Sequence, residues 1–224
     1  VGYAENVVRY YKLDDFQAHV WIAHQRYPTR GRVWHPGGAH PFTGLNEALV
    51  HNGDFANYHA TTEYLKQRGL VPQFMTDTEV SVMLFDLWNR VYGYPLEVII
   101  EALAPTGELD FDMLPLEKQE LYERIQSTHI HASPDGPWFF IIARNIPDTN
   151  TYQLLGITDT SMLRPQVFSL YDGEVQIGLI CSEKQAIDAT LRSLAAEDSR
   201  FSTVADKYWN ARGGSSSDGG AFMF

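Results

Sequence analysis

Residues 47–55 run Glu47-Ala48-Leu49-Val50-His51-Asn52-Gly53-Asp54-Phe55. The apolar approach through Ala48, Leu49 and Val50 predicts a buried strand. Asn-Gly flanked by apolar residues is the strongest short-range hairpin signal, because both residues tolerate the positive φ of a tight turn. By itself His51-Asn52-Gly53 is a turn between two strands. Everything else depends on what surrounds it.

Upstream, residues 18–25 predict a buried strand ending at His24. Tyr27 to Gly44, rich in Pro, Gly and His, predicts a long ordered loop. Downstream, a helix from about His59 to Arg68 stops at Gly69 as its C′ residue. A second helix starts at Thr76-Asp77-Thr78-Glu79, where Thr76 and Glu79 have capping-box spacing, and turns an apolar face of Val80, Met83, Leu84, Leu87 and Trp88 to the core. Pro95 opens a third helix reaching Leu103, and residues 115–127 predict an exposed fourth. Trp138–Ala143, Tyr152–Thr158, Pro165–Tyr171 and Val175–Cys181 follow as strands, with Asp172-Gly173 turning the last pair. Glu183 to Leu194 closes the domain as an amphipathic helix. Residues 1–212 form one domain in this reading, and the Gly- and Ser-rich residues 213–224 a linker or tail. Strands, then helices, then strands and a helix predict a layered α+β protein rather than a βαβ repeat.

The 224 residues suit a single domain, and 44% apolar content with 13% aromatic residues supports a sizeable core. Seventeen basic against twenty-eight acidic residues give a net charge of −11, which argues against nucleic acid or an anionic membrane as partner. No apolar run reaches membrane-spanning length and no signal peptide stands at the start. One cysteine, Cys181, excludes an internal disulfide framework and fits a reducing cytoplasm. It ends an apolar strand, where a buried packing role is expected. Val1 in place of Met predicts that residues upstream are missing.

Three segments can carry chemistry together: His24–Gly31, His51–Gly53 and Thr76–Glu79. Singly, Arg26 is a surface arginine, Asn52-Gly53 a turn, and Asp77 an acid complementing a helix dipole. In combination they offer a grip for a free amino acid. A guanidinium holds an α-carboxylate in two prongs, and an aspartate at a helix start receives an α-ammonium. The Asn52 amide and the Gly53 N–H can face a developing oxyanion, with no Cβ to keep a ligand away from Gly53.

In this order the segments resemble the glutaminase domain of class II (N-terminal nucleophile) glutamine amidotransferases. That family runs from an arginine-bearing His-x-Arg-x-x-Thr segment, through Pro-Phe and His-Asn-Gly, to Thr-Asp-Thr-Glu. The counterparts here are His24–Gly31, Pro41-Phe42, His51–Gly53 and Thr76–Glu79, with 26 positions from Arg26 to Asn52 and 25 from Asn52 to Asp77. Asp135–Phe140, Thr158–Pro165 and Ser182-Glu183 resemble later family segments; Leu163-Arg164-Pro165 and the tail lean toward the glutamate-synthase-like branch. The resemblance implies an αββα four-layer sandwich of the N-terminal-nucleophile-hydrolase type, and glutamine hydrolysis to glutamate and ammonia without cofactor or metal. The ammonia would pass to a synthase domain or subunit of a multi-subunit complex. Arg26 and Thr29 would bind the substrate with Asp77, and Asn52 with Gly53 would form the oxyanion hole.

The departures concern the nucleophile. The family uses a cysteine at the mature N-terminus whose own amine, with a pKa of about 8, serves as base. Nothing equivalent precedes Arg26, and the 25 residues before it leave the leading strands of the sheet unaccounted for. The cysteine-bearing segment is missing from this chain, or the protein is a non-catalytic relative that binds glutamine and regulates. A metal enzyme is a further alternative, because His24, His35, His40, His51 and His59 crowd into one third of the chain and His129 and His131 are spaced for one strand face. No compact metal-ligand motif accompanies them.

Overall fold

The computed structural model describes residues 2–25, 35–74, 76–159, 167–210 and 220–224. The chain opens with α1 (Ala4–Tyr11) and, past the loop, a two-residue strand β1 (Phe42–Thr43). Then come β2 (Glu47–Asp54), α2 (Tyr58–Lys66), α3 (Asp77–Asp86), α4 (Leu96–Leu103), α5 (Glu108–Asp112) and α6 (Leu116–Thr128). The second half holds β3 (Asp135–Ile146), β4 (Thr151–Thr158), β5 (Val167–Asp172), β6 (Gln176–Cys181), α7 (Lys184–Glu197), β7 (Lys207–Asn210) and β8 (Ala221–Met223).

The strands make two antiparallel sheets, β1-β2-β3-β4-β8 and β6-β5-β7. Alternation along each strand divides three apolar layers. Leu49, Phe140, Ile142, Leu155 and Ile157 bury the outer face of the first sheet against α2, α3, α4 and α6. On the inner face Ile141, Leu154 and Phe222 meet Phe168 and Ile180 of the second sheet, with the Phe168 and Phe222 rings 4.1 Å apart. On the far side of the second sheet Val167 packs with Ile187 and Leu191 of α7. The order is helices, sheet, sheet, helix: the expected αββα sandwich.

Three elements differ from expectation. Residues 20–25 alternate half-buried and exposed as a strand would, but make no ladder among the described residues. Periodicity signals an extended backbone and says nothing of a hydrogen-bonded neighbour. Within the supposed tail, Ala221–Met223 pair with β4, and Gly178 of β6 leaves the space in which the Phe224 ring sits. Apolar Ala221-Phe222-Met223-Phe224 outweighs the linker-like residues before it, while 213–219 lie outside the described residues. The helix at Thr76, expected to be apolar on one face, is buried nearly all round, including Thr78, Glu79, Ser81 and Asp86. It continues as a π-helical turn over Leu87–Val91, closed by the Tyr92 N–H donating to the Leu87 carbonyl at 3.0 Å.

Candidate active site

Asn52-Gly53 does not turn the chain: both residues lie within β2. Regular pairing runs to Asn52 opposite Phe139 and resumes only at Asp54 opposite Asp135, so β3 carries the surplus residues of a bulge. Gly136 there has φ +63°, and Pro137 has no N–H to give the ladder. Gly53 has φ +155°, and a Cβ on it would fall 2.4 Å from the Trp138 Cβ and 2.7 Å from His51 Nε2. The hairpin signal fails because a bulge demands the same residue types as a tight turn. Glycine is required here by the packing of Trp138 and His51, before any ligand is considered.

Asp77 is the first residue of α3. Thr76 caps that helix by accepting the Glu79 N–H at 3.2 Å. The reciprocal half of the capping box is diverted: the buried Glu79 carboxylate accepts the N–H groups of Gln73 and Phe74, each at 2.7 Å, and fastens the approaching loop. The Asp77 side chain keeps 19% exposure, with Oδ2 3.6 Å from His51 Nδ1 and Oδ1 3.5 Å from the Thr78 hydroxyl. That hydroxyl is 2.9 Å from His40 Nε2, and the His40 ring lies 4.2 Å from that of His24. His51 itself is buried between Phe140 and Phe55.

The structure therefore joins two of the three predicted segments, through His51 and Asp77. Alternation along β2 directs the Asn52 side chain to the face opposite His51. Arg26 and Thr29 lie outside the described residues, as do residues 160–166. From sequence His40 stands out only among the clustered histidines of the metal alternative, and Thr78 and Trp138 only as members of longer motifs. Each owes its place to contacts across the chain, which no local motif announces. Beside the bulge is a cavity of about 260 Å³ whose lining includes Ala104, Pro105, Ser133, Asp135, Trp138 and Asp159. The Asp135 carboxylate accepts the Ala56 N–H and so ties the end of β2 to β3.

Cys181 lies on β6, packed against the core under α7, and burial pushes its thiol pKa up. That is opposite to what an activated nucleophile needs. Among the described residues no three His, Cys, Asp or Glu side chains converge as a metal site, and no helix is long and apolar enough to cross a membrane.

No protein-family model matches the chain. It is 32% identical over 195 residues to an uncharacterized protein of Archaeoglobus fulgidus, covering 87% of this chain and 49% of that one. It is 34% identical over 96 residues to the glutamine–fructose-6-phosphate aminotransferase (isomerizing) of Campylobacter jejuni, covering 42% of this chain and 16% of that enzyme. The Thermotoga maritima enzyme of the same name gives 38% over 94 residues, covering 41% and 15%. The chain thus spans about half the length of the archaeal relative and a small part of the aminotransferases. Among solved structures, the glutamine phosphoribosylpyrophosphate amidotransferase of B. subtilis, complexed with ADP and GMP, aligns over 90% of this chain and 33% of its own, with 19% identity and a TM-score of 0.46. By sequence, the domain is similar to glutamine amidotransferases.

Proposed function

We propose that this chain is a glutaminase domain of the class II amidotransferase type, which hydrolyses glutamine and passes ammonia to a glutamate-synthase-like partner domain or subunit. The observation that carries the reading is the junction at the end of β2. There a glycine that tolerates no Cβ stands beside His51, and His51 meets a partly open carboxylate at a helix start. Amide cleavage passes through a tetrahedral oxyanion, which the Gly53 N–H and the Asn52 amide stabilise. Asp77, at the positive end of α3, takes the α-ammonium, while Arg26, with Thr29 beside it in sequence, takes the α-carboxylate. The aminotransferase similarity supports glutamine as the amide donor.

The nucleophile is a cysteine from outside these 224 residues, since Cys181 is packed under α7 with a raised pKa. The same fact favours the second reading, a glutamine-binding subunit that regulates without hydrolysis. The full-length protein separates the two. Under the first, calorimetry shows glutamine binding and a coupled assay shows ammonia release. Asn52→Ala then lowers the release rate by about 10²–10³-fold, as for other oxyanion-hole donors. A loss below about threefold removes Asn52 from the site. Binding without ammonia release establishes the regulatory reading instead.

A further inference from the structure

We propose that copies of this chain associate head to tail through two faces at opposite ends of α6, an acid-rimmed apolar face and a face built around Arg68. The association holds whatever the site at the end of β2 hydrolyses.

At the start of α6, Leu109 and Met113 are each 83% exposed and Leu116 is 70% exposed. Leu109 and Met113 lie four apart on continuous helical backbone and so share one side of α5. The Gln119 side chain donates to the Leu114 carbonyl at 2.8 Å, which holds the first turn of α6, with Leu116, against the end of α5. Exposed Glu108, Asp112, Glu117 and Glu120 flank these residues, and none makes an ion pair among the described residues. Lys118, the cation among them, is taken by Glu97. Large apolar side chains this open and this close together mark a surface that something covers.

The other face lies at the far end of α6, about 20 Å away for 13 helical residues. There the rings of His129, Tyr94 and Tyr92 follow one another at 5.8 and 5.5 Å. Arg68 sits over the Tyr64 ring, 3.5 Å from its centre, and donates Nε–H to the Tyr92 hydroxyl at 2.7 Å and Nη1–H to the Tyr64 carbonyl at 2.8 Å. These contacts fix the guanidinium but use two of its five donors, and no carboxylate of the described residues pairs with it. Val91, Tyr92 and Ile130 around it are exposed. A pre-ordered arginine framed by tyrosines has the make-up of an interface anchor, and it fits a carboxylate set among apolar groups. The α5–α6 face supplies that chemistry. Arg9 and Lys12, at the equally open α1, stand among Glu5, Asp14 and Asp15 and offer no such contrast. The −11 charge of each copy opposes contact, but beyond about 8 Å it is screened at physiological salt, whereas Arg68 meets its acids directly. Because the two faces differ, each pairing leaves one of each kind open, and the copies build a ring or a filament.

Sedimentation velocity on the full-length protein tests the pairing. Wild type gains mass as its concentration rises. Arg68→Glu, and separately Leu109→Lys combined with Met113→Lys, alter only exposed side chains and leave the fold intact. Each weakens the association about thirtyfold or more, the scale of a broken interfacial charge contact. Mixed in equal amounts, the two variants form a one-to-one complex as tight as the wild-type contact, because each retains the face that the other has lost. A wild-type mass that is constant with concentration, variants that associate as wild type does, or a mixture whose components stay apart each overturn the proposal. So does a monomer whose amides from Leu109 to Leu116 are protected from exchange, since its own remaining polypeptide then covers the face.

Discussion

The two ends of β2 are built on opposite plans. At its start Glu47 is buried and its carboxylate is fully engaged, accepting from Asn89 Nδ2 at 3.2 Å and from the Asn46 N–H at 3.3 Å. Arg144, beside it on β3, donates to Asn89 at 2.9 Å and to Gln153 at 2.8 Å, and Asp86 is paired with Arg90. Burial, with the charge of Asp86 adding to it, pushes the Glu47 pKa up, and burial pushes the Arg144 pKa down. At the other end the Asp77 side chain keeps 19% exposure and lies 3.6 Å from His51, while a bulge in β3 with a cavity beside it faces the end of the strand. Perturbed titration is commonly taken as a mark of function. Here it marks a buried cluster of structural hydrogen bonds around Glu47 and Arg144.

The contrast can be broken by substitution. The largest effect is expected from Gly53→Ala, whose methyl group would overlap Trp138 at a φ that disfavours side chains; it lowers unfolding free energy by about 3 kcal/mol in urea melts. A cost below about 1 kcal/mol would mean that the bulge yields, and that the glycine serves a ligand rather than packing. Arg144→Met is expected to cost about 2 kcal/mol, because it leaves the buried Glu47 and the half-buried Asn89 without the cation beside them. It should leave glutamine affinity unchanged, and a change would join the two ends functionally.

The smallest effect sharpens the contrast through pH. Because the folded-state pKa of Glu47 lies above its unfolded value, this carboxyl favours folding fully only below the unfolded pKa, and the contribution is lost as pH rises through the folded pKa. Melts of wild type against Glu47→Gln from pH 7 down to about 4.5 should show wild type gaining relative to the variant as pH falls. A relative loss would reverse the assigned direction.

Much of the sandwich was legible because it is written in local patterns. β3 and β4 contain Trp138–Ala143 and Tyr152–Thr158, the runs that predicted them, β5 and β6 overlap the predicted Pro165–Tyr171 and Val175–Cys181, and Gly69 ends its helix with φ +77° as a C′ glycine does. What failed depended on partners. Residues 20–25 have a strand's pattern without a described neighbour, and α1 carries Ala4, Val7, Val8 and Tyr11 on one face but buries none of its residues. The site was legible in part. His51-Asn52-Gly53 and Asp77 are short motifs, but that His51 meets Asp77 is a contact between residues 26 positions apart. The Glu47 cluster could not be foreseen, since its members come from β2, β3 and the π-helical turn.

That turn bears on how the protein can change. A π turn holds one residue more than the α-helical turn it replaces, so the surplus rotates everything after it by about 100° relative to a straight helix. Asp77 lies before it and Asn89 within it, so a single-residue deletion there would swing Asn89 away from Glu47 without altering the heading of Asp77. The segment is a phase adjuster: it lets the buried ionic cluster be re-indexed by insertion or deletion while the acid at the other end of the same helix keeps its aim.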